Sequence, residues 1–563
     1  FDSSRADPEY QAAFREFGID FEKTTPEQVA QRLRQEALGE DLAAALVDWA
    51  ADRWFSFGPK DALAHKLMSA ALAGTADLWR ASFWKALAER ERSAIRKLAA
   101  QPNVASQPPS TIALLADQLM AQGDLPIAAN VLQAALQKYP ADFWLNHQLG
   151  FMYSIMQPPR LDASLRYYGV AMAIRPQSPG ARVNLGMALL GKGAYAEAEA
   201  EFREAIHLKS DYGGAYVDLG SVYEQQKNYD EALKHYRKAV EVEPKLPQAH
   251  EALARALSIQ SQRPAAIAEL KQAISLQPNI GRLHVLLGEE FYQEGKSVEG
   301  QEEIRRGFEL DPQNGGLRFL VGTMFLEAGQ NQQAVPLLRE AVTLTPAHPE
   351  SHCNLAHALR RLKLYAEAVP EMRRGHQLGM QQPDWPYPSA LWVQELEDLI
   401  KLDARLKVIQ SGQDKPFGLD ETLRLAIFCL NEKGQNRAAY QFFQRAFEVA
   451  PGLCDNPNVN YRYLAAAAAF ACGTSVGADV ASLSMEEKEK LRGQALEWMK
   501  TEFTSLQKRY QAGKRDEVRA LLENWFHDTS WRAIPQLPAA ECTPWQKLWS
   551  DANNLLNQAR EKK

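Results

Sequence analysis

Laid against itself at a shift of 34, this sequence repeats. Gly186, Gly220, Ala254, Gly288, Gly322 and Ala356 share one column of small residues. Ala198, Ala232, Ala266, Gly300, Ala334 and Ala368 share a second, and Ala205, Ala239, Ala273, Gly307, Ala341 and Gly375 a third. Pro244, Pro278, Pro312 and Pro346 close successive units. Each unit of such an array is one supersecondary element that buries its apolar face only on its neighbours. The array lengthens without a central core, so 563 residues do not require several ordinary domains.

The clearest unit is YVDLGSVYEQQKNYDEALKHYRKAVEVEP, 216–244. Tyr216, Leu219, Gly220 and Tyr223 share one face of a first helix, and Ala232, Tyr236 and Ala239 one face of a second. Small side chains let the two helices approach, aromatics fill the groove of the next unit, and proline ends the second helix. The pattern resembles the tetratricopeptide repeat, a 34-residue helix–turn–helix. That resemblance implies an all-α tetratricopeptide (TPR) helix-turn-helix solenoid with helical N- and C-terminal caps.

One stretch competes with this reading. GMALLGKG, 186–193, fits the phosphate-binding pattern G-x-x-x-x-G-K-[ST] at Gly186, Gly191 and Lys192. It fails at Gly193, where a hydroxyl should hold magnesium, and no strand precedes it. The register makes Gly186 a helix-packing position and places Gly193 in the turn between the helices.

Two units precede these six: STIALLADQLMAQGDLPIAANVLQAALQKYP (110–140), and 142–176 with two extra residues near QPPR. Eight repeats are thus expected over 109–380, forming a superhelix. A degenerate ninth pair, keeping Gly434, Ala439, Phe443, Ala446 and Pro451, follows within a linker region, 381–455. PDWPYPS, 383–389, is a break before another helix. An N-terminal helical domain, 1–108, and a Trp-rich helical cap, 456–563, complete the partition. Tryptophan marks these flanks, with none between 145 and 384.

The flanks carry helix signals of their own. Asp7 with Pro8 after it reads as a cap and first position, followed by an apolar stripe of Tyr10, Phe14 and Phe17. Thr25/Gln28 and Ser484/Glu487 have capping-box spacing. Leu42, Leu46 and Trp49 continue a helical period. Leu491, Ala495, Trp498, Phe503 and Leu506 should face inward, and 545–556 should be a last amphipathic helix. The tryptophan stripes read as core.

DPEYQAAFREFGID (7–20), DFWLNHQLG (142–150), LAAAAAFACG (464–473) and LRGQALEWMKTEF (491–503) occur in this order. Together they resemble the C-terminal region of planctomycete-type serine/threonine protein kinases over nearly the whole chain. One departure is visible: Tyr463, Leu464 and Ala467 stand where that family shows Tyr-Asn-Ala-Ala-Cys. The resemblance implies a kinase domain upstream of Phe1 and a sensor or docking role here. If the family's membrane span also lies upstream, the array is extracytoplasmic; otherwise it is cytoplasmic. A chain beginning at Phe1 rather than Met reads as a processed product or a piece of something longer.

Little in the chain points to chemistry. No Gly-rich loop, H-R-D or D-F-G triplet occurs, so no enzyme is expected here. No zinc-type Cys/His spacing occurs, and His352 and His357, five apart, point in different directions, so neither metal nor cofactor is expected. Trp525, His527 and Asp528 read as a helix end. Five scattered cysteines without C-x-x-C read as buried thiols. A net charge of −6 argues against nucleic acid, and no apolar run reaches the length of a membrane span.

What remains is a groove for a protein or peptide ligand. In tetratricopeptide arrays the first helices line the concave face at the second, fifth, sixth, ninth and twelfth positions. Here those positions include Trp144, His147, Phe151, Val183, Asn184, Met187, Val217, Asp218, Glu224, Glu251, Arg255, Val285, Glu289, Tyr292, Phe319, Thr323, Glu350, Asn354, His357 and Arg360. The Lys/Asn clamp for a C-terminal carboxylate is absent. An asparagine ladder is kept only at Asn184 and Asn354. Met187, Tyr292 and Phe319 are the expected anchors. The alternative function is a stand-alone scaffold subunit with no kinase attached; an enzyme hidden in the Trp-rich tail ranks third.

Overall fold

The computed structural model describes residues 3–36, 38–58, 60–382, 385–455 and 460–560. Every regular element among them is helical. The chain divides into two compact units, residues 1–310 and 311–563.

In the first unit, six helix pairs follow the N-terminal helices: Pro109–Ala121 with Leu125–Lys138, Phe143–Ile155 with Leu161–Ile174, Pro179–Gly191 with Tyr195–Leu208, Gly213–Gln225 with Tyr229–Val242, Pro247–Ile259 with Arg263–Leu276, and Gly281–Gln293 with Ser297–Leu310. The small-residue columns lie where the two helices of a pair touch. A Cβ on Gly186 would sit 2.7 Å from the Phe202 ring, and one on Gly220 2.5 Å from the Tyr236 ring. Glycine is what lets each ring lie flat against the partner helix. Gly193 turns the chain between helices at φ +78°, and the residues before Gly186 are helical, so no phosphate loop forms.

A further column, of polar side chains at Arg182, His250, His284 and His352, holds the turns between pairs. His250 lies 2.6 Å from Glu269 Oε2 and 2.9 Å from the Pro244 carbonyl oxygen. His284 repeats this with Glu303 and Pro278. Arg182 donates to Glu201 and to the Pro176 carbonyl. In the second unit His352 does the same with Glu371 and Pro346. Each of these side chains ties the closing turn of one repeat to a helix of the next, 19 residues on in sequence.

The N-terminal helices pack around Trp49, which lies 5.4–5.8 Å from the rings of Tyr10, Phe14 and Phe21. Two expectations fail here. The first helix runs Ser3–Glu16 and contains Pro8, so Asp7 is no cap. Its carboxylate instead accepts from Trp49 Nε1 at 2.7 Å and from Arg53, donors supplied by helix Gly39–Phe57. Phe17 is outside the buried stripe, 47% exposed, because the helix stops at Glu16 and Gly18 (φ +71°) redirects the chain. The capping box at Thr25/Gln28 is present.

The second unit holds two repeat pairs, Gly315–Glu327 with Asn331–Leu344 and Pro349–Arg361 with Tyr365–Gly379. Helix Ser389–Gln410 follows the PDWPYPS break, of which Pro383 and Asp384 lie outside the described residues. The degenerate pair is Gly418–Phe428 with Asn436–Val449, Gly434 making the left-handed turn at φ +63°. The tail is one aromatic core: Trp531 lies 5.1–5.8 Å from the rings of Tyr463, Phe470, Trp545 and Trp549. Trp531 Nε1 donates to Tyr463 Oη, whose proton goes to Asp528 at 2.6 Å. So Trp525, His527 and Asp528 are indeed a helix end, with Asp528 fixing a core tyrosine. Ser484/Glu487 forms its capping box. Leu491, Ala495, Phe503 and Leu506 are buried, whereas Trp498 is half-buried against Tyr440 and Phe447 of the degenerate pair. Cys353, Cys429, Cys472 and Cys542 are buried and free; Cys454 lies outside the described side chains. No helix among the described residues is long and apolar enough to cross a membrane.

Candidate functional site

The first helices of successive pairs meet through a polar ladder in each unit. In the first unit Gln148 Nε2 donates to Asp117 at 3.0 Å, Asn184 lies 2.7 Å from His147 Nε2, and Arg255 forks onto Glu224 at 2.9 and 3.1 Å. Arg282 reaches Glu251 at 3.1 Å, and Ser258 donates to Glu290. In the second unit Asn354 donates to Thr323 at 2.9 Å. Four of these pairs, Asp117/Gln148, Glu224/Arg255, Glu251/Arg282 and Thr323/Asn354, stand 31 apart, one repeat less three residues. That spacing sets facing turns of neighbouring first helices side by side.

The groove candidates divide by what already touches them. Trp144, Phe151 and Met187 are open, at 49, 39 and 46% exposure. They lie on Phe143–Ile155 and Pro179–Gly191 with Asn184, and Trp144 stacks edge-on to His147. Val217 is half-buried, while Val183 and Val285 are buried in the core. Arg255 is engaged by Glu224, and Glu289 is half-buried. Tyr292 covers Gly300 of its own pair, where a Cβ would meet its ring at 2.7 Å.

In the second unit Phe319 packs edge-on to His348 at 4.8 Å, and His357 to Trp392 at 4.7 Å. Arg360 pairs with Glu395 and Glu432. These three, like Tyr292, already have protein partners. Tyr292 and Phe319 are half-buried, so the candidates with the most open apolar surface are those of the second and third repeats.

Electrostatics single out Asp218 in the fourth repeat. Burial alone pushes its carboxyl up to about 7. Burial also lowers the pKa of His147 and of His357, so both imidazoles favour the neutral form. The ladder is not among the features expected from sequence; a signal for it exists in the polar pairs 31 apart, such as Glu224/Arg255 and Thr323/Asn354.

Tetratricopeptide-repeat sequence profiles match residues 159–213, 214–246 and 322–383. The fold is thus an all-α tetratricopeptide array with helical segments before and after it. No curated protein matches the chain. Among solved structures, a tetratricopeptide repeat protein from Parabacteroides merdae ATCC 43184 is 19% identical, covering 44% of this chain and 97% of that one at a TM-score of 0.37. TTC0263, a thermophilic TPR protein of Thermus thermophilus, is 23% identical over 33% of this chain and 100% of its own, TM-score 0.30. YrrB, described as a TPR protein with an unusual peptide-binding site, is 21% identical over 33% and 95%, TM-score 0.26.

Proposed function

We propose that this chain is a non-catalytic interaction region that binds a peptide or helix of a partner protein along the first helices of its repeats. The observation that carries the reading is open apolar surface at Trp144, Phe151 and Met187, beside the Asn184–His147 contact. Repeat arrays use such surfaces for binding, and exposed aromatic and Met side chains among polar neighbours are the usual anchors. The test is Phe151→Ala with Met187→Ala in the full chain. A peptide selected against the wild type from a random display library should lose at least about tenfold in affinity while the helical signal stays constant. Undiminished binding would remove this face as the site.

The four segments of the kinase resemblance extend the proposal: the array serves as a sensor or docking arm of a serine/threonine protein kinase, with phosphoryl transfer on a separate segment. Intact mass of the native polypeptide, with peptide mapping across Phe1, tests it. Upstream peptides bearing kinase motifs support the docking arm; a mature chain starting at Phe1 makes it a stand-alone scaffold.

A further inference from the structure

A cavity of about 860 Å³ opens in the first unit among helices Gly39–Phe57, Pro109–Ala121 and Phe143–Ile155. Among the described residues, Asp41, Asp48, Asp52, Asp117 and Asp142 line it, with no lysine, arginine or histidine. Their hydrogen-bond donors are neutral. Tyr10 donates to Asp48 at 2.6 Å, the Gln148 amide to Asp117, and the Leu145 backbone N–H to Asp142.

Carboxylates alone are an ordinary solvated surface. A separate feature points to a ligand: Thr111, 2% exposed, lines the same cavity, and its hydroxyl has no partner among the described residues. Buried polar atoms are almost always paired, so an unpaired hydroxyl on a residue of the wall marks a hydrogen-bonding capacity that the described residues do not meet. The acids also repel one another. Burial, then the charge of Asp48, pushes the Asp117 carboxyl up to about 6, and burial, then Asp48 and Asp7, raises that of Asp52. An incoming cation would relieve this. A metal ion does not fit, because no three His, Cys, Asp or Glu side chains among the described residues converge closely enough to hold one. Trp144, on the wall, offers an aromatic face; the Arg175 guanidinium already lies 5.6 Å from its ring centre.

We propose that this cavity receives a Lys or Arg side chain of a basic peptide segment, the cationic head among Asp48, Asp52 and Asp117 and the aliphatic stem on Trp144. The proposal rests on the peptide-binding reading above and names the chemistry of the partner. The full chain is titrated into a fluorescein-labelled hexapeptide of alternating Leu and Arg, read by anisotropy, with the Glu-for-Arg peptide and spermidine as comparisons. Asp48→Asn with Asp52→Asn should weaken the Arg peptide at least about tenfold, and Asp117→Asn several-fold, while the Glu peptide does not bind. Asp117→Asn keeps the proposal testable if loss of charge beside Tyr10 disturbs the fold of the double variant. Unchanged affinity in these variants overturns the proposal. So does spermidine binding as tightly as the peptide, since the occupant is then a free polyamine. Affinity lost in Phe151→Ala/Met187→Ala but kept in the aspartate variants overturns the cavity and leaves the groove standing. Loss in the aspartate variants alone supports the cavity and counts against the groove.

Discussion

The repeats of the first unit and the C-terminal segment 461–560 solve the same problem, burying helices, in opposite ways. In the repeats, close approach comes from missing side chains: Gly186 and Gly220 make room for Phe202 and Tyr236. Each contact recurs in the next pair, and its consequences stay between neighbours. In the tail no position recurs. Trp525, Trp531, Trp545 and Trp549 meet Tyr463 and Phe470 in a single cluster, reinforced by the Arg462–Glu502 pair and by Arg492 spanning Glu541 and the Gly473 carbonyl. A repeat tolerates local loss; a cluster of this kind melts as a whole.

The largest effect expected from that contrast is in the tail. Trp531→Ala removes the ring at the centre of the cluster and should cost roughly 4–5 kcal/mol. Hydrogen exchange should quicken across 461–560 together; acceleration confined to the 529–536 turns would break the comparison. Tyr236→Ala should cost roughly 3–4 kcal/mol, with faster exchange limited to 213–242 and its neighbours. Loss spreading through every repeat would show the array to be one cooperative body.

A smaller effect of opposite sign concerns Asp218. Its folded pKa is raised above that of the unfolded chain, so the folded state binds the extra proton. Stability therefore falls as pH rises from about 4 through about 7. Asp218→Asn should stabilise the first unit by about 1–3 kcal/mol at pH 8 and by nothing at pH 4. A gain independent of pH would contradict this. The smallest is Ser484→Ala, which removes the cap on Met485–Gln511 and should lower stability by about 1 kcal/mol.

The same contrast explains what can be read in the sequence. A period of 34 fixes helix lengths, pair order and the identity of each packing position, so Gly186, Tyr236 and the turn at Gly193 are legible from spacing. The capping boxes are legible because both partners lie within one turn. Asp7 misleads because its local pattern fits a cap, while the donors that claim it, Trp49 and Arg53, lie 42 and 46 residues away. Phe17 misleads because the helix end is set by Gly18. The site is less legible still. Tyr292 and Phe319 look like anchors by position; in the fold one lies over Gly300 and the other against His348, both half-buried, a matter of helix rotation that spacing does not encode. The aspartate-lined cavity joins segments around residues 117 and 142, which are neighbours in the array, to one around residue 48, which precedes the array and which nothing in the period places there.

The central claim is that the first helices of the repeats are the binding face. The most direct measurement is hydrogen exchange of the full chain with and without a tight peptide selected from a random display library. The account predicts protection concentrated in 143–155 and 179–191, with the second helices and 461–560 unchanged. Protection confined to the second helices or to the tryptophan cluster would contradict it.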